Sequence, residues 1–120
     1  MSTVHTNREH VVCYDCDDTL VMWHKDVNDV YVKDPYDNAE VLLKRHEKHI
    51  KLLKDHKARG YYVCVWSAGG YMWAKAVVKA LELENYVDHI MAKPLTIVDD
   101  LPVEAWMGKR VYLEDKDDQT

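Results

Sequence analysis

The stretch VVCYDCDDTL, residues 11–20, decides how this chain is expected to fold. Its first four residues form a short apolar run that stops abruptly at Asp15. Short continuous apolar runs are typical of strands buried on both faces, as in parallel sheets. The acids Asp17 and Asp18 and the hydroxyl residue Thr19 follow at once, so the stretch predicts a buried strand with a polar site at its carboxyl end.

Beyond this stretch, the chain alternates between strand and helix patterns. Residues 20–32 alternate loosely between apolar and polar, which predicts a small β-hairpin flap after the first strand. Residues 37–59 carry one apolar stripe at helical spacing, and we expect Asp37 to cap this helix and Gly60 to end it. His46 lies on the stripe, where a hydrogen-bonded histidine at the edge of the core is favoured over a metal ligand.

The second half of the chain continues the alternation. A buried strand is predicted over 61–66, a turn over 67–70 and a helix over 71–83. Short strands at 87–91, 96–98 and 110–113, and one or two helical turns at 102–107, complete the prediction. The pattern predicts an α/β fold: a single Rossmann-like, doubly wound domain over residues 1–120 with a mostly parallel sheet and no sizeable cap domain.

Polar residues end three of the predicted strands. These residues are Asp15 and the acids that follow it, then Ser67, then the pair Asp99-Asp100. Lys93 lies just before the last of these strands. Because ligands of parallel sheets bind beyond the carboxyl ends of the strands, we expect these residues at one rim. Carboxylates crowded there repel one another, and a bound Mg²⁺ would remove that cost. Ser67 and the backbone N–H groups of Ala68 and Gly69 would supply donors for phosphate oxygens.

Four segments in order resemble the motifs of the haloacid dehalogenase (HAD) superfamily. Residues 11–20 resemble its first motif, a hydrophobic strand followed by D-x-D-x-T, and Ser67 after its strand resembles the second. Lys93-Pro94 resembles the third motif, and Asp99-Asp100 followed by Glu104 resembles the fourth. Together they span residues 11–104. The first motif alone is moderately specific, whereas four motifs in the family's order make a stronger resemblance.

The resemblance implies a Mg²⁺-dependent phosphatase that works through an aspartyl-phosphate. Asp15 would be the nucleophile, and Asp17 would protonate the leaving oxygen and then deprotonate water. Ser67 and Lys93 would hold the phosphoryl oxygens. The metal would be bound by the Asp15 carboxylate, by the Asp17 backbone carbonyl and by the Asp100 carboxylate, with Asp99 beside it. One departure is that the family often has glycine where this chain has Asp18, which adds negative charge near the entrance.

Two other readings of these residues stay open. A signalling receiver domain has a similar length and also uses a Lys-Pro pair such as Lys93-Pro94. It needs a phosphoacceptor Asp at the end of a middle strand, where this chain has Ser67. The other reading is a catalytically silent module that binds phosphate or a partner on the same fold.

The short spacing between motifs leaves no room for a cap, so the site is expected to be open unless a neighbouring copy in a homo-oligomer covers it. An open site suits a phosphorylated small molecule, such as a nucleotide, or a nucleic-acid end. Thr19 and, by stacking, Trp23 and His24 are candidate substrate contacts beside Ala68 and Gly69. Very compact chains of this kind resemble HAD proteins encoded by bacteriophages, which favours a nucleotide or nucleic-acid phosphate.

Composition excludes several classes of protein. A net charge of −5 argues against a protein that coats DNA, which would need a basic surface. No apolar stretch of about 20 residues is present and residues 1–10 lack a signal-peptide core, so we expect a cytoplasmic protein without a membrane span. Cys13 and Cys16 form a C-x-x-C, for which packing is favoured over zinc or redox chemistry.

Overall fold

A computed structural model of the protein describes residues 9–108, 110 and 111. The described chain runs through strands and helices in the following order: β1 (Val11–Asp15), β2 (Val21–Met22), β3 (Val30–Lys33), β4 (Glu40–Arg45), α1 (Glu47–Ala58), β5 (Tyr62–Ser67), α2 (Tyr71–Ala80), β6 (His89–Ala92) and α3 (Val103–Trp106).

The strands β1, β5 and β6 form a parallel sheet in the order β1-β5-β6. In its register, Asp15 lies opposite Trp66 and Ser67 opposite Ala92, so β1, β5 and β6 end at one rim. The predicted parallel α/β architecture is therefore confirmed. The three described parallel strands are too few for a full Rossmann-like, doubly wound sheet.

Both long helices pack on the same face of this sheet. The connections from β1 to β5 and from β5 to β6 move in one direction across the sheet, and right-handed crossovers then place α1 and α2 on one side. Apolar side chains of both helices join those of β1 and β5 in one hydrophobic cluster. Inside it, the Tyr14 hydroxyl lies 2.6 Å from Nδ1 of His56, which ties β1 to α1.

The other face of the parallel sheet, here called the open face, is the one that α1 and α2 do not cover. It carries the side chains that alternate with the core residues: Val11, Cys13, Asp15, Tyr62, Cys64, Trp66, His89 and Met91. Val11 is 53% exposed and Tyr62 is 45% exposed. A doubly wound domain would bury this face, whereas the described chain leaves part of it accessible and buries Cys64.

The predicted flap is an antiparallel sheet of three strands rather than a hairpin. β2 and β3 do not pair with each other, since β4 lies between them in the order β2-β4-β3. The hairpin connects β3 to β4 instead, through a turn in which the Asp34 N–H donates to the Ala39 carbonyl. The prediction of a small β-structure after the first strand is right, and its pairing is wrong.

The predicted helix over 37–59 is wrong in its first part. Glu40–Arg45 is strand β4, and the helix begins only at Glu47. The cap is His46 rather than Asp37: the Nδ1 atom of His46 accepts the N–H of His49. His46 is fully buried, which confirms it as a hydrogen-bonded core histidine.

The segment after β6 also departs from the prediction. Residues 96–98 form no strand, and Leu95 and Val98 are 99% and 97% exposed because no neighbouring strand pairs with them. The helical turn predicted at 102–107 is present as α3. Arg110 and Val111 are not in a strand, and the rest of the strand predicted at 110–113 lies outside the described residues. Within the described part of the chain, every helix falls short of the length and apolarity of a membrane span.

Candidate active site

Asp15 ends β1 at the carboxyl rim of the parallel sheet. Its side chain is 33% exposed, and Oδ1 lies 3.9 Å from Nζ of Lys93, which follows β6. Burial raises the pKa of the Asp15 carboxyl, while the Lys93 ammonium and the N–H of Cys16 lower it. The topology thus brings an acid and a base that are far apart in sequence to one point of the rim.

A tight turn follows Asp15 and fixes the second acid. The carbonyl of Cys16 accepts three backbone N–H groups, from Thr19, Leu20 and Val21. Asp18 adopts a left-handed conformation with φ of 58°. Glycine enters this region without strain, and aspartate is among the residues that tolerate it best. Asp18 therefore fits the position where the HAD motif often has glycine.

Two indole groups hold the carboxylate of Asp17. Its Oδ1 accepts the N–H of Trp23 at 2.8 Å and that of Trp73 at 3.1 Å. The two indole rings lie 6.2 Å apart, and Trp73 is buried on α2. The sequence pattern does not indicate this contact, because no local spacing relates residues 17 and 73.

Ser67 ends β5 beside Asp15's strand and is buried, with 1% exposed. Its Oγ accepts the N–H of Gly69 at 2.9 Å, and its carbonyl accepts the N–H of Lys93 at 2.8 Å. A side chain at Gly69 would crowd this hydroxyl, since a Cβ atom there would lie 3.3 Å from it. Ala68 is exposed. The loop after β5 therefore has a compact, glycine-dependent shape at the rim.

The predicted substrate contacts are one residue of the tight turn, Thr19, and two aromatic residues, Trp23 and His24. Thr19 lies in the tight turn, where its carbonyl is 2.7 Å from Nδ1 of His49. Trp23 is half-buried against Trp73, whereas His24 is exposed with its ring 6.3 Å from the Trp23 ring. His24 is therefore the more accessible of the two stacking candidates.

The acidic pair Asp99-Asp100 is not brought to this rim. Both side chains are exposed, and Asp99 accepts the N–H groups of Asp100 and Leu101 instead. The charges that act on Asp15 are those of Lys93, Asp17 and Asp18. Among the described residues, no three acids, histidines or cysteines are grouped as metal ligands. A Mg²⁺ site needs only one or two carboxylates when substrate phosphate supplies further oxygens.

The C-x-x-C motif is divided between two environments. Cys16 is fully buried, as the packing interpretation predicts, and burial raises the pKa of its thiol. Cys13 is exposed on the open face, so packing does not describe it. The register places Cys13 opposite Cys64 on β5, a neighbour that the sequence spacing did not indicate.

Comparisons with protein-family models, with curated protein sequences and with solved structures returned no match for this chain. The resemblance to the HAD superfamily stays a prediction that rests on the four sequence motifs.

Proposed function

We propose that this chain is a Mg²⁺-dependent phosphomonoester hydrolase of the HAD type. The observation that carries the proposal is the placement of Lys93 3.9 Å from Asp15 at the rim where β5 also ends in Ser67. The three residues belong to three motifs that are far apart in sequence, and the fold places all three at one rim. A Rossmann-like sheet would supply the same rim, and the described β1-β5-β6 sheet is compatible with its central part.

In the proposed reaction, a carboxylate oxygen of Asp15 attacks phosphorus and forms an aspartyl-phosphate. Asp17 gives its proton to the leaving oxygen and then takes a proton from the water that hydrolyses the intermediate. The Lys93 ammonium and the Ser67 hydroxyl stabilise the phosphoryl oxygens as charge moves onto them. The two indole N–H groups keep the Asp17 carboxyl in one position for both proton transfers.

The donor set at the rim fits a hard cation. Asp15 and Asp17 offer only oxygen ligands, and the raised pKa of Asp15 reflects a carboxylate that burial destabilises and a cation would stabilise. The Asp15 carboxylate and the Asp17 backbone carbonyl would hold Mg²⁺, which would neutralise phosphate charge. Asp100, with Asp99 beside it, is the further proposed ligand, and its segment would have to move to the rim.

The proposed substrate is a nucleotide or a nucleic-acid end phosphate. The rim carries no described cap, and the exposed His24 offers a ring beside the entrance for a base to stack on. The net charge of −5 suits a single phosphate held at one point better than a long nucleic-acid track.

A silent phosphate-binding module is the second candidate. The position of Asp99-Asp100 away from Asp15 favours it, because a site that lacks its second acidic ligand would bind Mg²⁺ weakly. Such a module would bind a fluoride mimic of phosphate without turning over any phosphomonoester.

The testing experiment compares the wild-type protein with Asp15→Asn on an aryl phosphate. We expect phosphate release with Mg²⁺, none with chelator, and loss of nearly all turnover in Asp15→Asn. Glu84→Gln, an equivalent change of an exposed acid before β6, is the matched control and should keep wild-type turnover. Circular dichroism and melting curves check that each variant folds. An Asp15→Asn variant with normal turnover would exclude Asp15 as the nucleophile.

A further inference from the structure

A pair of thiols lies on the open face, next to the proposed nucleophile. Cys13 of β1 and Cys64 of β5 are partners in the parallel register, so their side chains point to the same side of neighbouring strands. Register partners on neighbouring strands lie about 4.8 Å apart. The sulfurs are therefore neighbours without any change of the backbone.

The two thiols differ in access. Cys13 is exposed, whereas Cys64 is only 4% exposed. An oxidant from solvent therefore reaches Cys13 first, and Cys64 is placed to attack the oxidised sulfur. Cys16 is fully buried and faces neither of them across the sheet.

We propose that Cys13 and Cys64 form a reversible disulfide across β1 and β5 when the protein meets hydrogen peroxide. The Cys13 sulfur attacks one peroxide oxygen, the O–O bond breaks, and the first water leaves with the thiol proton. The Cys64 sulfur then displaces the hydroxyl from the Cys13 sulfenic acid, and that hydroxyl leaves with the Cys64 proton as the second water. The two sulfurs lose two electrons, and the peroxide gains them.

The geometry makes this disulfide easy to reduce again. Neighbouring strands lie about 4.8 Å apart, which is within the Cα separation that disulfides span. Because side chains stand roughly perpendicular to a sheet, the Cβ atoms of register partners keep about the strand spacing of 4.8 Å, whereas a relaxed disulfide holds them at about 3.8 Å. Closing this difference strains the bond, and strained disulfides are more easily reduced.

The same strain has a consequence for the site, and this step rests on the proposed phosphatase function. The disulfide would draw β1 and β5 together by about 1 Å, two residues before Asp15 and three before Ser67. A displacement of about 1 Å between reacting groups costs on the order of 100-fold in rate. We expect oxidised protein to lose at least tenfold in turnover and to regain it with a dithiol reductant.

The disulfide is mapped first, and enzyme activity is measured afterwards. Wild-type protein is treated with hydrogen peroxide, its remaining thiols are alkylated under denaturing conditions, and peptides are mapped without reduction. We expect a link between the peptides that contain residues 13 and 64, and a free thiol at Cys16. Cys13→Ser, which keeps Cys16 and Cys64, should form no link, and this identifies the partner of Cys64.

The outcomes separate the two proposals. Oxidation that leaves Cys64 free, or that joins two chains, would overturn the disulfide whether or not the protein is an enzyme. A mapped disulfide with unchanged turnover would overturn only the regulatory consequence. A mapped disulfide in a protein that hydrolyses no phosphomonoester, even when reduced, would sustain the thiol site and count against the proposed function.

Discussion

At the scale of single residues, the carboxylate of Asp17 depends on two tryptophans from distant parts of the chain. The first motif allowed Asp15 and Asp17 to be proposed as a pair, because both lie within five residues of one strand end. The donors could not be predicted in the same way. Trp23 is a stacking candidate by sequence and Trp73 lies within the helix predicted over 71–83, and only the tertiary fold brings both indole N–H groups to one oxygen.

Replacing either indole by phenylalanine should slow the proposed reaction without weakening substrate binding. Trp73→Phe keeps most of the ring and removes one N–H donor to a carboxylate, a bond worth about 1.5–3 kcal/mol. A loss of about 1.4 kcal/mol in the transition state is tenfold in rate, so we expect kcat to fall roughly tenfold or more with KM little changed. Trp106→Phe on α3 is the matched control. An equal rise in KM with constant kcat would show that the indoles serve binding instead.

At the scale of elements, β4 illustrates where periodicity fails. Val41 and Leu43 alternate as a strand, yet Leu42, Leu43 and His46 also fit the three- and four-residue spacing of the helix that follows. Local sequence does not separate the two patterns over six residues. The strand is favoured over a helix here because β2 and β3 pair with β4 on its two sides and bind its backbone groups.

Asp88 joins three elements at the end of the sheet opposite the candidate site. Its carboxylate accepts hydrogen bonds from the Lys57 ammonium at 2.7 Å and from the backbone N–H of Val63 at 2.8 Å. The Lys57 contact, followed by the Val63 N–H, lowers the pKa of this carboxyl below its usual range. The ionised form therefore stabilises the folded chain.

Asp88→Asn should reduce the free energy of unfolding at pH 7 by roughly 1–2 kcal/mol, because it removes a partly exposed ion pair and weakens one hydrogen bond. A carboxyl with a lowered folded pKa contributes fully above its unfolded value, near 3.9, and this contribution is lost as the pH falls through the folded pKa. Melting curves from pH 7 to pH 3 should show the two proteins converging at the acid end. A difference that stays constant with pH would mean that the charge of Asp88 does not matter.

At the scale of the whole molecule, the described chain exposes apolar side chains in two places. The open face of the parallel sheet exposes Val11 and Tyr62, and the segment after β6 exposes Leu95 and Val98 almost completely. The sequence predicted a strand at 96–98 because its composition is that of a buried strand. A strand also needs a paired edge, and composition does not tell where that edge lies. The proposed metal ligands Asp99 and Asp100 share this segment, so their distance from Asp15 has the same cause.

The exposed segment allows a direct test of the proposed metal ligands. Chymotrypsin, which cuts after large apolar residues, should first cleave the wild-type protein between Leu95 and Met107, since backbone that packs against little opens most easily. Bound Mg²⁺ would remove the repulsion between the acidic pair and the acids of the rim. We therefore expect Mg²⁺ with a fluoride mimic of phosphate to slow this cleavage in the wild-type protein and not in Asp100→Asn. If saturating ligand raises the melting temperature yet leaves the cleavage rate unchanged, the assignment of Asp99 and Asp100 to the metal is wrong, and Asp15 must bind Mg²⁺ without them.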